Sequence, residues 1–247
     1  MSADSKAGVS TEARFASHDG VELFYRHWAA AAEGRGPRRA IILLHRGHEH
    51  GARMQDVVDK LGLPDIDCFA WDARGHGLSP GERGYAADFG VLVRDVDRFV
   101  RHISTRYEVA MSNIVVIGSS VGAVLAATWV HDYAPRIRAL VLGSPAFRVK
   151  LYIPFAVPLL RVLLKLKGKA FVTSYVKAKL LTHDPAKIVS YENDPLVTRQ
   201  IAVNILLGLH DAGTKLMDDA GAITVPTQVL VSEADWVVQP GAQRRFY

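Results

Sequence analysis

The chain is expected to fold as an α/β protein with a mostly parallel sheet and helices on both faces. Three observations carry that expectation. Five runs of strand length, residues 40–44, 66–71, 113–117, 137–142 and 227–231, are apolar almost throughout, as befits parallel strands covered on both sides. Stretches with helical periodicity, residues 53–61, 89–107 and 121–133, fall between them. Strands and helices that alternate in sequence specify a parallel sheet with crossover connections.

The elements follow in order. Residues 15–28 read as a β-hairpin, two short runs of alternating and aromatic residues around Asp19-Gly20, a dipeptide suited to a tight turn. A loop at 29–39 leads into Ala40-Ile41-Ile42-Leu43-Leu44, and the βα alternation runs on to the strand at 137–142. The rhythm then breaks. Residues 145–223 have helical periodicity and no convincing strand, which reads as a helical cap inserted over the carboxyl ends of the strands, where open α/β sheets bind ligands. The strand at 227–231 follows, and residues 244–247 look like the start of a helix. No linker or repeat divides the chain, so one domain is expected over 12–247, after a polar tail at 1–11 that is expected to be disordered.

Composition narrows the function classes. With 247 residues, 49% hydrophobic and 22% charged, the chain can bury a full-sized core. The amino terminus lacks the apolar stretch of a signal peptide, and no run reaches the roughly 20 apolar residues of a membrane span, so a cytoplasmic setting is expected. Cys68 is the single cysteine, which excludes an internal disulfide or a cysteine-based metal site; within residues 66–71 it reads as a buried, inert thiol.

Net charge is +5, unevenly spread: between Asp132 and Asp184 no acid occurs, while Arg148, Lys150, Arg161, Lys165, Lys167, Lys169, Lys177 and Lys179 all do. A surface both apolar and cationic suits an anionic membrane face or a lipid with a negative head group, so peripheral membrane contact through the basic cap is one reading. In the other, the apolar residues pack on the sheet and the lysines face water. No nucleic-acid-binding motif is visible.

Chemistry concentrates in three places. Gly118-Ser119-Ser120-Val121-Gly122 follows a strand and opens a helix. In such a turn the middle residue is strained, the flanking glycines avoid clashes and the Ser120 hydroxyl projects above the sheet, with the helix amino end favouring developing negative charge. His45-Arg46-Gly47-His48-Glu49-His50 follows the strand at 40–44. The loop in that position supplies one backbone N–H to an oxyanion and the residue after the nucleophile supplies the other, which makes Gly47 and Val121 the candidate oxyanion hole. Three histidines so close also raise a metal site, but no HxxxH on a helix accompanies them, and no metal is assigned. Asp72 to Ser79 form a glycine-rich turn with an Asp, an Arg and a His, read as loop-bracing charge pairs.

These motifs, with Asn193-Asp194-Pro195-Leu196-Val197 and Ser232-Glu233-Ala234-Asp235, resemble the monoacylglycerol lipase and lysophospholipase branch of the α/β hydrolases, from about Phe15 to Tyr247. The resemblance implies an α/β-hydrolase fold, a catalytic Ser120 nucleophile, Asp235 as the triad acid, no cofactor, and a small-molecule lipid ester as substrate. Asp235 also has a physical case, since it follows an apolar strand and emerges on the Ser120 edge; the alternative is that it caps the next helix.

The sequence departs from the family twice. Arg46 stands where the loop usually reads His-Gly. All ten histidines precede Asp235, although the triad order in this fold is Ser, acid, His. The expectation is that the histidine, the last strand and the last helix lie beyond residue 247 and that residues 1–247 alone are nearly inactive; His45, His76 or His210 as stand-in is the alternative. The His-Arg-Gly-His-Glu-His variant is similar to that of longer chains in which a hydrolase precedes a methyltransferase domain. Against the esterase stand a catalytically dead lipid- or partner-binding module and an α/β hydrolase of another chemistry, such as a peptidase, thioesterase or haloperoxidase.

Overall fold

A computed structural model describes residues 8–31 and 36–247. The central sheet has seven strands: β1 (Thr11–Ala16), β2 (Glu22–Trp28), β3 (Ala40–Leu44), β4 (Asp67–Trp71), β5 (Ile114–Ser119), β6 (Ala139–Gly143) and, after the cap segment, β9 (Thr227–Leu230). Their order in space is β1-β2-β4-β3-β5-β6-β9. The first two pairings, β1 with β2 and β2 with β4, are antiparallel, and the remaining four are parallel. The expected mostly parallel sheet is therefore present, and the chain has the α/β-hydrolase fold.

The hairpin is anchored by its turn chemistry. Gly20 sits at φ 80, and Asp19 Oδ1 accepts from the Val21 N–H at 3.2 Å. Pairing begins at Thr11, opposite His27, so the strand takes in the end of the expected tail; residues 1–7 of that tail lie outside the described residues. Every residue of β3 and of β4 is buried, in accord with their apolar sequence apart from Asp67, which pairs with His27. Cys68 lies in β4, and burial pushes its thiol up to about 12. Burial falls off toward β9, where every second residue is exposed.

The helices α1 (Gln55–Leu61), α2 (Phe89–Arg106) and α3 (Val121–Tyr133) connect the strands. The α2 helix starts on an Asp88 cap whose carboxylate accepts from the Val91 N–H at 2.7 Å. The α3 helix is apolar on all sides and correspondingly buried from Gly122 to Val130, with Trp129 fully enclosed. A large apolar side chain buried to that degree contributes roughly 1.5–3 kcal/mol, so α3 cannot shift without loss of core.

Between β6 and β9 the segment is not purely helical. It holds α4 (Ala156–Lys167), β7 (Phe171–Thr173), α5 (Pro185–Glu192), β8 (Gln200–Ala202) and α6 (Val203–Asp218). The strands β7 and β8 pair antiparallel, Phe171 opposite Ala202, which corrects the expectation of a cap without strands. Three residues each is too short for a readable alternation, and the partners are far apart in sequence. A last helix, α7 (Pro240–Phe246), packs Phe246 against Phe147 with ring centroids 4.5 Å apart. No helix among the described residues is long and apolar enough to cross a membrane.

Loops at the carboxyl edge are braced by buried charge. Asp72, fully buried, accepts from the Gly51 N–H at 2.6 Å, the Leu78 N–H at 2.8 Å and Arg26 Nη1 at 3.3 Å. Asp95, also fully buried, takes Arg74 in a fork at 2.9 and 3.0 Å and a further short contact from the Ser17 hydroxyl. The bracing role read for the turn at 72–79 is thus visible atom by atom. Asp72→Ala leaves two loop N–H groups without an acceptor and Arg26 with Glu12 as its remaining partner, and is expected to cost about 3–5 kcal/mol. Urea unfolding of the two proteins measures it, and a loss within ~1 kcal/mol would contradict the bracing role.

Candidate functional site

Ser120 ends β5 and caps α3 with φ 52 and ψ −111, a backbone conformation that L-residues rarely adopt. The surroundings over-determine it. The Ser120 N–H donates to Gly143 O at 2.8 Å, and its carbonyl accepts from the Ala123 and Ala146 N–H groups at 3.1 and 3.2 Å. Both flanking glycines are obligatory by space: a Cβ on Gly118 would lie 2.5 Å from Gly122 O, and one on Gly122 would lie 2.4 Å from Leu44 O. Strand β3, strand β5 and helix α3 meet too closely there for any side chain.

The loop after β3 touches the same turn. A Cβ on Gly47 would come within 2.9 Å of Val121 Cγ2, so the two residues whose N–H groups were singled out are neighbours. Arg46 does not fold into that contact. Its Nε and Nη2 donate to the two oxygens of buried Glu49 at 3.0 and 2.7 Å, a fork that fixes the guanidinium on its own loop.

Asp235 lies in the loop between β9 and α7 and lines the same cavity as Ser120, on the same edge of the sheet. Its Oδ1 accepts from the Val237 and Val238 N–H groups at 2.8 and 2.9 Å, while Gln239 is the residue that caps α7. The helix-cap alternative for Asp235 therefore falls. Its loop is tied to the cap segment: Lys150 Nζ donates to Asp235 O at 2.6 Å, and Tyr152 Oη to Trp236 O at 2.8 Å.

Two cavities share Ser120 in their walls. One, about 500 Å³, is the more polar of the two: Arg46, Ser119, Ser144, Lys179, His183 and Asp235 line it together with apolar side chains such as Leu181, Leu230 and Trp236. The other, about 390 Å³, is apolar, lined by Gly47 and Val121 with Leu151, Ile153, Leu160 and Leu209 among others, most of them from the segment between β6 and β9. That segment is held over the strand ends by charge. Asp194 accepts from Arg53 Nη1 at 3.2 Å and meets His50 Nε2 at 2.9 Å, which accounts for the Asn193-Asp194-Pro195 motif as a clasp.

The histidines separate by environment. His45 has both ring nitrogens engaged: its Nε2 accepts from the Ala73 N–H at 3.0 Å, so its Nδ1 carries the proton and donates to Arg46 O at 2.7 Å. His76 donates from Nδ1 to Arg74 O at 3.0 Å and lies 5.4 Å from His45, ring centre to ring centre. His210 sits among leucines of another cavity, beside Arg148. None of the three lines a cavity with Ser120 and Asp235. His183 does, but it makes no hydrogen bond to either residue; the sequence carried no motif to single it out. His45, His48 and His50 do not bring their ring nitrogens within reach of one another as a set, and the one group of metal-type side chains that does so among the described residues is His18, Asp19 and Asp95, where Arg74 already sits.

Comparison with known proteins fits this architecture. Residues 35–247 match the family model described as "Serine aminopeptidase, S33". The chain belongs to that family of α/β hydrolases. It is 53% identical over 233 residues to the protein YnbC of Escherichia coli (strain K12), an alignment that takes in 94% of this chain and 40% of that protein, so the chain spans well under half of that relative's length. It is 27% identical over 245 residues to the monoacylglycerol lipase of Mycolicibacterium smegmatis, covering 96% of this chain and 84% of the lipase. A soluble variant of the Saccharomyces cerevisiae monoglyceride lipase, solved with a substrate analog, superposes with a TM-score of 0.82 at 18% identity, over 97% of this chain and 81% of that one, which establishes likeness of fold. The chain is thus a monoacylglycerol lipase-like α/β hydrolase.

The buried histidines make stability depend on pH. Burial lowers His45, His48 and His76 to about 4, well under the ordinary 6.5. The fold keeps them neutral while the unfolded chain takes up protons, so this stability is complete above pH 6.5 and is lost as pH falls from there toward 4, by up to ~1.4 kcal/mol per pH unit for each ring. Urea unfolding at pH 7.5, 6 and 5 is expected to show that decline, with a shallower one in His76→Gln; a flat profile would contradict neutral burial.

Proposed function

We propose that this chain is a serine esterase that cleaves the carboxylic ester of a monoacyl lipid, of the monoacylglycerol or lysophospholipid kind, in the cytoplasm and at a membrane surface. The observation that carries the reading is the place of Ser120: a strained turn at the wall common to an apolar cavity fit for an acyl chain and a polar one fit for a head group.

In this reading the Ser120 Oγ attacks the ester carbonyl while a histidine takes its proton, and Asp235 orients that imidazole through the carboxylate oxygen not used by Val237 and Val238. The Gly47 and Val121 N–H groups receive the oxyanion. The imidazolium protonates the departing alcohol, and water, deprotonated by the same ring, then releases the fatty acid. No cofactor enters. The engaged nitrogens of His45 and the remote sites of His76 and His210 support a base supplied from beyond residue 247.

Labelling with a fluorophosphonate tests this. A carboxyl-terminally extended protein is expected to react at Ser120 and the Ser120→Ala variant not at all, while residues 1–247 alone turn over esters roughly 10⁶-fold more slowly than the extended protein. An extended protein that leaves Ser120 unlabelled would sink the proposal.

Membrane contact through the cap has its own support. Helix α4 has no buried residue; Phe155, Leu159, Val162 and Leu166 are exposed, with Lys165 and Lys167 beside them. That counts against the reading in which these apolar residues pack on the sheet. Phe155→Ser with Leu166→Ser is expected to weaken sedimentation with phosphatidylserine-containing vesicles about tenfold without lowering the melting temperature, since roughly 2 kcal/mol of apolar transfer goes to the membrane and none to the core. Unchanged vesicle binding would refute it.

A further inference from the structure

The more polar cavity beside Ser120 has two basic side chains in its wall, Arg46 and Lys179, against one acid, Asp235, and the charge starts with Arg46. Arginine has five N–H donors, of which the fork to Glu49 uses one on Nε and one on Nη2. No acceptor among the described residues takes the others, and the side chain is about a third exposed, at 34%. Buried Glu49, at 1%, sets the plane of the guanidinium; Arg53 stands 3.6 Å from the same carboxylate and balances it from the other side. Arg46 is thus a preorganised cation with open donors, at the junction of the apolar and the polar cavity.

One further cation, Lys179, lines the same cavity, with the imidazole of His183 as a neighbouring polar group. Lys179, exposed, has no ion-pair partner among the described residues, and His183 is exposed beside it. Asp235 is the one acid in the wall, and its Oδ1 is taken by backbone N–H groups. The hydroxyls of Ser119, Ser144, Thr182 and Ser232 complete a lining rich in donors. A neutral glycerol head group needs no such field; a phosphate does.

We propose that Arg46, with Lys179, is a specificity determinant that selects monoacyl lipids with an anionic, phosphate-bearing head group over neutral ones. The acyl chain occupies the apolar cavity, the ester lies at Ser120, and the phosphate is met by the free edge of the Arg46 fork. This rests on the esterase reading for the placement of chain and ester, but not for the anion site itself.

Ether lipids, which no esterase cleaves, separate the two. Titration calorimetry below the micelle concentration is run with 1-O-hexadecylglycerol 3-phosphate, 1-O-hexadecylglycerol and glycerol 3-phosphate. The phosphate ether is expected to bind about tenfold more tightly than the neutral ether, and glycerol 3-phosphate at least about a hundredfold more weakly than the phosphate ether. Arg46→Gln is expected to remove most of the preference, and Lys179→Gln to reduce it about threefold, with the neutral ether within about twofold throughout. Lys179 is a surface side chain, so that variant keeps the test open if Arg46→Gln unfolds. Equal binding of the two ethers, an equal fall for both in either variant, or glycerol 3-phosphate binding as well as the phosphate ether would each overturn the proposal. Fluorophosphonate labelling of Ser120 does not involve the head group, so a carboxyl-terminally extended protein that is labelled but shows no preference refutes the anion site alone, and an extended protein that is unlabelled but keeps the preference refutes the esterase alone.

Discussion

The structure turns on one tight junction, where β5 passes into α3 under the carboxyl end of β3. Three backbone segments approach so closely that Gly118 and Gly122 leave no room for a Cβ, and Ser120 between them is held at positive φ. Such a conformation costs of order 1–3 kcal/mol and persists only where the surroundings enforce it. Here the burial of α3 from Gly122 to Val130 does the enforcing: to relax Ser120 the helix would have to withdraw Val124, Leu125 and Trp129 from the core. Core packing and the presentation of one hydroxyl are the same structural fact.

Around that junction electrostatics is divided by depth. Beneath the loops, carboxylates with no solvent contact, Asp72 and Asp95, gather loop N–H groups and arginines into fixed frames. The buried rings of His45, His48 and His76, of which His48 lines the apolar cavity, are kept neutral by desolvation and add no charge to it. Above, toward the cap segment, the charges that remain open are cationic, Arg46 and Lys179. A carbonyl that acquires negative charge at Ser120 would therefore face helix amide dipoles and cations, with Asp235 the one carboxylate in the same cavity.

The segment between β6 and β9 closes the arrangement in two unequal ways: α6 packs Leu209, Leu216 and Met217 into the main core, whereas α4 has no buried residue. The segment's ties to the sheet loops are specific and polar: Asp194 to His50 and Arg53, Lys150 to the carbonyl of Asp235, and a lone bridge between Val149 and Val238. Polar ties of this sort set position while leaving the outer apolar face of α4 free. The apolar cavity is thus walled on one side by the sheet and on the other by the cap segment, with its helices and one small sheet.

Local sequence determined the parallel sheet, the order of its elements and the turn at Ser120, because unbroken apolar runs, helical periodicity and a Gly-x-Ser-x-Gly pattern are short-range signals of burial and backbone strain. The same holds for the bracing role of the turn at 72–79, where charge and glycine sit in one tight loop. The short strands β7 and β8 stayed hidden, since each exists only through a partner distant in the chain. Tertiary structure alone decided that Asp235 shares a cavity with Ser120 instead of capping α7, that Arg46 spends half its fork on Glu49, and that the apolar face of α4 is left uncovered. Each is a question of which groups from separate loops converge, and convergence follows from how the sheet twists and where the cap lands, neither of which a linear pattern encodes.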